Sequence, residues 1–197
     1  MLLKRVLDIT ASILGLIILA PVMALICILI WADSGAPLLF SQERVGAGFR
    51  HFRILKFRTM KTVLGGPLVT VKGDARVTQV GRILRIFKLD ELPQLWNVLR
   101  GDMSLVGPRP EVPEYVGMFR TRYEHILSVR PGITDIASVR FRDEEQLLAR
   151  SEEPLREYVD RILPLKLDLA DEYIERRSLS LDLLIVLKTL LAAFRPA

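Results

Sequence analysis

The pattern of the chain divides at residue 33. ITASILGLIILAPVMALICILIWA, residues 9–32, carries no charge and only two hydroxyls, and it exceeds the roughly 20 apolar residues that a membrane helix needs. Lys4 and Arg5 precede it, as in a secretory leader. The run is long for a leader, and no small-x-small cleavage site precedes Trp31, so the segment is expected to be retained. Pro21 falls in its middle, where it removes a backbone hydrogen bond and crowds the preceding turn, so a bend is expected at Ala20-Pro21. Two arrangements follow: a kinked spanning helix, or a re-entrant one that enters and leaves by the same face. Lys4 and Arg5 lie on one flank, and Arg44, Arg50, Arg53, Lys56, Arg58 and Lys61 on the other. Basic flanks prefer the cytoplasmic side. Re-entry satisfies both; a span requires the larger downstream cluster to prevail, and charge alone leaves the two balanced.

Beyond the apolar run the periods shorten. Ser34-Gly35-Ala36-Pro37 stops the helix, and residues 37–60 form two short strands around Gly46-Ala47-Gly48, a β-hairpin. Residues 63–78 hold turn residues without a helical period and are expected to be a mobile loop. In 79–89, Val80, Ile83, Leu84 and Phe87 recur at helical spacing. Residues 90–100 predict a helix with Leu92, Leu95, Trp96 and Leu99 on a core-facing stripe, ended by Gly101. SLVGPRPEVPEY is expected to be loop, 113–129 helix, 130–144 loop or short strand, and 152–177 helix with a break at Pro164. The apolar stretch 178–194 begins at a serine cap; Asp182 and Lys188 make it a surface or packed helix rather than a clear span.

Composition narrows the classes. A chain of 197 residues with half of them apolar fits one domain with an appended segment. Its formal charge of +5 suits anionic lipid headgroups or phosphorylated substrates. The single cysteine, Cys27, lies in the apolar run and excludes a disulfide framework. His51 and His125 lack metal-ligand spacing, and Gly46-Ala47-Gly48 lacks the third glycine of a dinucleotide fingerprint.

Chemistry concentrates in KLDELPQLWNVLRGDMSLVGPRP, residues 88–110. With Asp90 at a helix start, Pro93 falls in the first turn, where its missing N–H is harmless. A lone aspartate there would be a cap. Glu91 cannot share that role, because adjacent helical residues face different ways. A helix N-terminus with Arg85, Lys88 and Arg109 nearby suits a phosphate or diphosphate. Two carboxylates can share Mg²⁺ with substrate oxygens, or one can attack phosphorus and form an acyl phosphate.

KFRTM, LDELPQLWNVLRGDMSLVGPRP and RPGIT occur in the order and spacing of the bacterial sugar transferases, the monotopic phosphoglycosyl transferases. The chain resembles a small member of that family over nearly its whole length. The resemblance implies an α+β, mainly helical fold. A membrane-embedded re-entrant helix (1–33), broken at Pro21, would precede a catalytic domain (34–197) with interfacial helices at the cytoplasmic face of the bacterial inner membrane. It implies transfer of a sugar 1-phosphate from a UDP-sugar to undecaprenyl phosphate, with release of UMP and use of Mg²⁺. Asp90 would be the nucleophile and Glu91 its partner in metal binding or proton handling. Arg109, beside Pro108, would grip the nucleotide-sugar; Arg85 would lie on the phosphate side, and Lys56 and Arg58 of KFRTM would support the site. Anionic lipids are expected partners and nucleic acid is not; the sequence permits a homodimer without demonstrating one. A Mg²⁺-dependent membrane diphosphatase or a non-catalytic adaptor on the same fold are the competing classes.

Two departures stand out. Many relatives have serine before the breaking proline where this chain has Ala20. After Pro131-Gly132-Ile133-Thr134 many continue Gly-Trp-Ala-Gln, whereas this chain has Asp135-Ile136-Ala137-Ser138, so sugar preference does not carry over.

Overall fold

The computed structural model describes residues 2–61 and 69–193. Helix α1, Leu2–Ser34, runs through Pro21 as one element, about 50 Å long at 1.5 Å per residue. Among the described residues it is the one helix long and apolar enough to cross a membrane. Most of its apolar side chains, from Leu2 to Trp31, are exposed.

Strands β1 (Leu39–Val45) and β2 (His51–Phe57) form the expected antiparallel hairpin, Leu39 opposite Phe57 and Val45 opposite His51. Its turn places Gly48 and Phe49 at φ of 62° and 59°. Helix α2, Gln79–Ile86, is capped by Thr78, whose hydroxyl accepts the N–H of Gly81. Part of the loop expected over 63–78 lies outside the described residues. The described part meets the body: Lys72 N–H donates to the carbonyl of Glu145.

The helix expected over 90–100 is shorter. Leu89–Glu91 forms a 3₁₀ turn, and α3 spans Gln94–Arg100, ended by Gly101 at φ 92°. Trp96, expected in the core, is 52% exposed. The inward face of α3 carries Gln94, Asn97 and Val98 instead. Asn97 explains the inversion: it accepts the N–H of Leu55 at 3.0 Å and donates to the carbonyl of Arg53 at 2.8 Å, satisfying the free edge of β2. The apolar stripe is left to α1, where Leu95 packs against Gly15.

SLVGPRP is not all loop. Ser104–Val106 (β3) pairs in parallel with Gly132–Thr134 (β4). The two chains cross so closely that a Cβ on Gly132 would lie 2.1 Å from the Gly107 nitrogen. The segment 113–129 divides at Phe119 into α4 (Pro113–Met118) and α5 (Arg120–Ile126). After β4 come α6 (Ile136–Arg140) and α7 (Glu144–Leu148). The long helix expected over 152–177 becomes α8 (Pro154–Glu157), a π-helical turn (Tyr158–Ile162) and α9 (Leu163–Arg176). The backbone stays helical from one piece to the next, and the π-helical turn directly precedes Pro164, which cannot donate an interior hydrogen bond. Helix α10 spans Leu179–Ala193.

The main core joins Val106, Tyr123, Ile126, Leu163, Leu167 and Tyr173. Both ends of α1 rest on this body. Near its start, Lys4 donates to Asp182 of α10, to Tyr173 and to the carbonyl of Val106; Arg5 donates to the carbonyls of Val98 and Leu99 at the end of α3. Asp8 accepts from Ser104 Oγ at 2.8 Å. Near its end, Ile26 and Ile30 pack with Phe57 and Leu84.

Candidate active site

The dyad sits where three parts of the chain converge. Lys88 adopts the left-handed conformation (φ 57°) and turns the chain out of α2, so that Asp90 and Glu91 point into the body rather than capping α3, whose start has no side-chain cap. Both carboxylates are buried. Glu91 Oε1 accepts from Lys56 Nζ at 2.6 Å and from the Arg109 guanidinium at 2.8 Å. Lys56 comes from β2 and Arg109 from the loop after β3, so KFRTM, the dyad and GPRP meet at one oxygen. Asp90 Oδ1 is buried without a hydrogen-bond partner.

The two neighbours carry opposite electrostatics. Burial pushes the Asp90 carboxyl up from its ordinary 3.8, reinforced by the negative charge of Glu91 and opposed by Lys56, Lys88 and Arg85. Burial alone would also raise Glu91, but Arg109, Lys56 and Lys88 outweigh it and hold Glu91 well below the usual carboxylate range. Burial pulls the Lys56 ammonium down, with Glu91 opposing, and the charge of Glu91 raises Arg109. The buried ion pair thus fixes the charge of Glu91 and leaves Asp90 as the adjustable member.

The other sequence candidates take varied places. Arg85 ion-pairs with Glu145 of α7 and lies 3.5 Å from the Met60 sulfur. Arg58 turns away from the dyad: its guanidinium donates to Ser34 Oγ and to the carbonyls of Ser34 and Gly35, closing the C-terminal end of α1. The Pro108 carbonyl accepts the N–H of Gly132 at 2.9 Å. Pro21 lies on the exposed side of α1. Among the described residues no three His, Cys, Asp or Glu side chains gather as a metal cluster. A cavity of about 20 Å³ behind Pro108, Arg109, Glu111 and Asp135 holds no more than a water. The Arg109 side chain itself is 34% exposed.

Three residues escaped the sequence reading. Arg44 of β1 donates to the Pro110 carbonyl at 3.0 Å and to Glu111 at 3.3 Å. Glu111 also accepts from Tyr158 at 3.0 Å. Asp135 accepts the N–H of Ser138 and the N–H of Arg109. Asp135 three residues before Ser138 is a legible capping pattern; nothing local marks Arg44 or Glu111.

Among curated proteins, the chain is 40% identical over 194 residues to a UDP-N-acetylgalactosamine-undecaprenyl-phosphate N-acetylgalactosaminephosphotransferase of Aeromonas hydrophila, covering 95% of this chain and 42% of that protein. It is 49% identical over 142 residues to a UDP-glucose:undecaprenyl-phosphate glucose-1-phosphate transferase of Caulobacter vibrioides, covering 70% of this chain and 53% of that protein. The chain therefore spans about half the length of these relatives. The bacterial sugar transferase family model matches residues 1–196, an extent that takes in α1, the hairpin, the dyad and the Arg109 loop alike. The chain belongs to the bacterial sugar transferase family.

Proposed function

We propose that the chain transfers a sugar 1-phosphate from a UDP-sugar to undecaprenyl phosphate in glycoconjugate biosynthesis, by way of a covalent aspartyl phospho-sugar. The observation that carries this reading is the divided dyad: Glu91 clamped by Lys56 and Arg109 beside a buried Asp90 whose Oδ1 has no partner. Both relatives named above are undecaprenyl-phosphate sugar phosphotransferases.

Ionised Asp90 attacks the sugar-bearing phosphorus, forming an acyl-phosphate bond while the bond to the bridging oxygen breaks and UMP leaves with that electron pair. The undecaprenyl phosphate oxygen then attacks the same phosphorus, and the carboxylate of Asp90 is released. Arg109 offers its remaining N–H groups to the diphosphate, in the planar fork geometry that matches phosphate oxygens. Arg109 and Lys56 keep Glu91 ionised, and Lys56 steadies the charge of Asp90.

Mg²⁺ fits the donor set. The ion accepts one or two carboxylates and keeps waters and phosphate oxygens for the rest, and the orphaned Asp90 Oδ1 is an unspent ligand. Asp90 and Glu91 would hold it, and it would supply neutralisation of the diphosphate charge.

The two anchored ends of α1 support a re-entrant membrane seating. A helix crossing a hydrocarbon core of about 30 Å places its ends on opposite sides, whereas Lys4 and Ile30 both pack on one body. Re-entry with Pro21 at the bend keeps that body on the cytoplasmic face, where a nucleotide-sugar and a lipid-borne phosphate can both be reached.

The test is Mg²⁺-dependent UMP release by the detergent-solubilised protein over a panel of UDP-sugars, with and without undecaprenyl phosphate. The covalent step alone frees one UMP per site, so turnover beyond that first equivalent is the readout. Turnover that needs the lipid supports transfer and names the sugar, and continued turnover without it indicates hydrolysis of the acyl phosphate by water.

A further inference from the structure

Asp135 lies outside the motifs shared with the family, yet it holds the residue on which the proposed donor grip depends. It follows β4 and is 5% exposed. Its two oxygens are divided between two tasks. Oδ1 accepts the N–H of Ser138 at 2.6 Å and closes the first turn of α6. Oδ2 accepts the backbone N–H of Arg109 at 3.2 Å. A cap alone uses one oxygen, and serine, threonine or asparagine would serve it; the second bond does nothing for α6.

The surrounding loop shows what that second bond adds. Gly107 N–H donates to the Thr134 carbonyl at 3.1 Å, and the Pro108 carbonyl accepts from Gly132 at 2.9 Å. The Pro110 carbonyl accepts from Arg44 at 3.0 Å. Each residue from Gly107 to Pro110 is thus tied to a neighbouring element, and the tie at Arg109 is the one Asp135 makes. That same residue extends its guanidinium to Glu91 at 2.8 Å.

We propose that Asp135 is a positioning residue for the donor diphosphate, setting the Arg109 backbone so that the guanidinium meets Glu91 with one N–H and presents the others to the phosphate oxygens of a nucleoside diphosphate-sugar. The inference rests on the transferase reading and gives this chain a means of fixing Arg109 through its backbone N–H. Asp135 touches no reacting atom and acts through Arg109.

Asp135→Asn tests it. Asparagine caps as well as aspartate, but its amide nitrogen cannot accept the Arg109 N–H. The expected result is a rise of about tenfold in KM for the UDP-sugar, with KM for undecaprenyl phosphate unchanged and a fall of only a few degrees in the thermal midpoint, as the loss of one hydrogen bond requires. In an Arg109→Ala background, Asp135→Asn should add no further rise, since its effect passes through the missing side chain. Asp135→Ser, which also keeps the cap, should repeat the single-variant result. An unchanged donor KM in both variants, or a loss that is fully additive with Arg109→Ala, overturns the positioning role. So does a uniform fall in all kinetic parameters together with the thermal midpoint, which would leave Asp135 as a cap only. A wild-type protein that releases no UMP from any UDP-sugar overturns the transferase reading itself, an outcome distinct from an active wild type matched by Asp135→Asn.

Discussion

Asp90 and Glu91 are neighbours in the chain and opposites in environment. Glu91 spends one oxygen on two cations, while Asp90 is buried with an unpartnered oxygen and its carboxyl is pushed up. A nucleophilic carboxylate must be ionised, so if Asp90 has the proposed role, activity should be present above its raised pKa and lost as pH falls through it. The acid limb of the kcat profile for UMP release is expected above 3.8, the ordinary aspartate value. Lys56→Met removes the cation that most opposes this rise, so the limb should move to higher pH and kcat should fall by about tenfold or more. A limb that stays in place in Lys56→Met would dissociate Lys56 from Asp90. Asp90→Asn keeps the shape and removes the proposed nucleophile; UMP release should drop by about 10³-fold or more, with the fold retained by circular dichroism.

At the scale of elements, close approach rather than periodicity builds the site. β3 and β4 have three residues each, too few to show alternation, and their pairing is parallel and remote in sequence. Their legible trace is glycine: Gly107 and Gly132 stand where a Cβ would meet backbone at 2.5 and 2.1 Å. Gly132→Ala should therefore separate the strands, shift the Arg109 loop and destabilise the protein by about 3 kcal/mol or more, measured by denaturant unfolding in detergent. Wild-type stability in that variant would mean that the crossing is looser than the backbone geometry indicates. Local signals did recover the apolar helix, the hairpin turn and the dyad motif, because turn residues, hydropathy and a long motif act over a few neighbouring positions. Trp96 misled for the opposite reason: Asn97 takes the inward face of α3 to serve β2, so Leu95 of the stripe meets α1 while Trp96 stays exposed. Arg58 sits within KFRTM, yet its hydrogen bonds go to the end of α1, a partner that lies 23–24 positions away in sequence. Which charged residue of a motif meets substrate is decided by such tertiary partners, which periodicity does not carry.

For the molecule as a whole, α1 is a strap that is also long and apolar enough to enter a membrane. Its outward side is apolar and exposed, and its N-terminal end is held by Lys4 on Asp182 and Tyr173, with Asp8 on Ser104. For α1 to span, this clasp must open and Lys4 and Arg5 must cross the bilayer. Charge alone balances spanning against re-entry, so the clasp and the backbone hydrogen bond that Pro21 cannot make should decide between them. Removing either one leaves the other to hold the N-terminus, and removing both should release it. The measurement uses Leu2→Cys in a Cys27→Ser background, with an impermeant maleimide added to intact spheroplasts and then to lysed ones. Leu2 is 82% exposed, so a thiol there is reachable from whichever side it occupies. With Pro21 and Asp182 intact, labelling is expected only after lysis. With Pro21→Leu and Asp182→Ala together, a fraction of the protein should label in intact spheroplasts, and that fraction should lose UMP release because α1 no longer braces α3 and β3. Labelling of the parent protein before lysis would reject the re-entrant arrangement. Labelling of the double variant only after lysis would show that the basic flank, rather than the clasp and the proline, keeps the N-terminus on the cytoplasmic side.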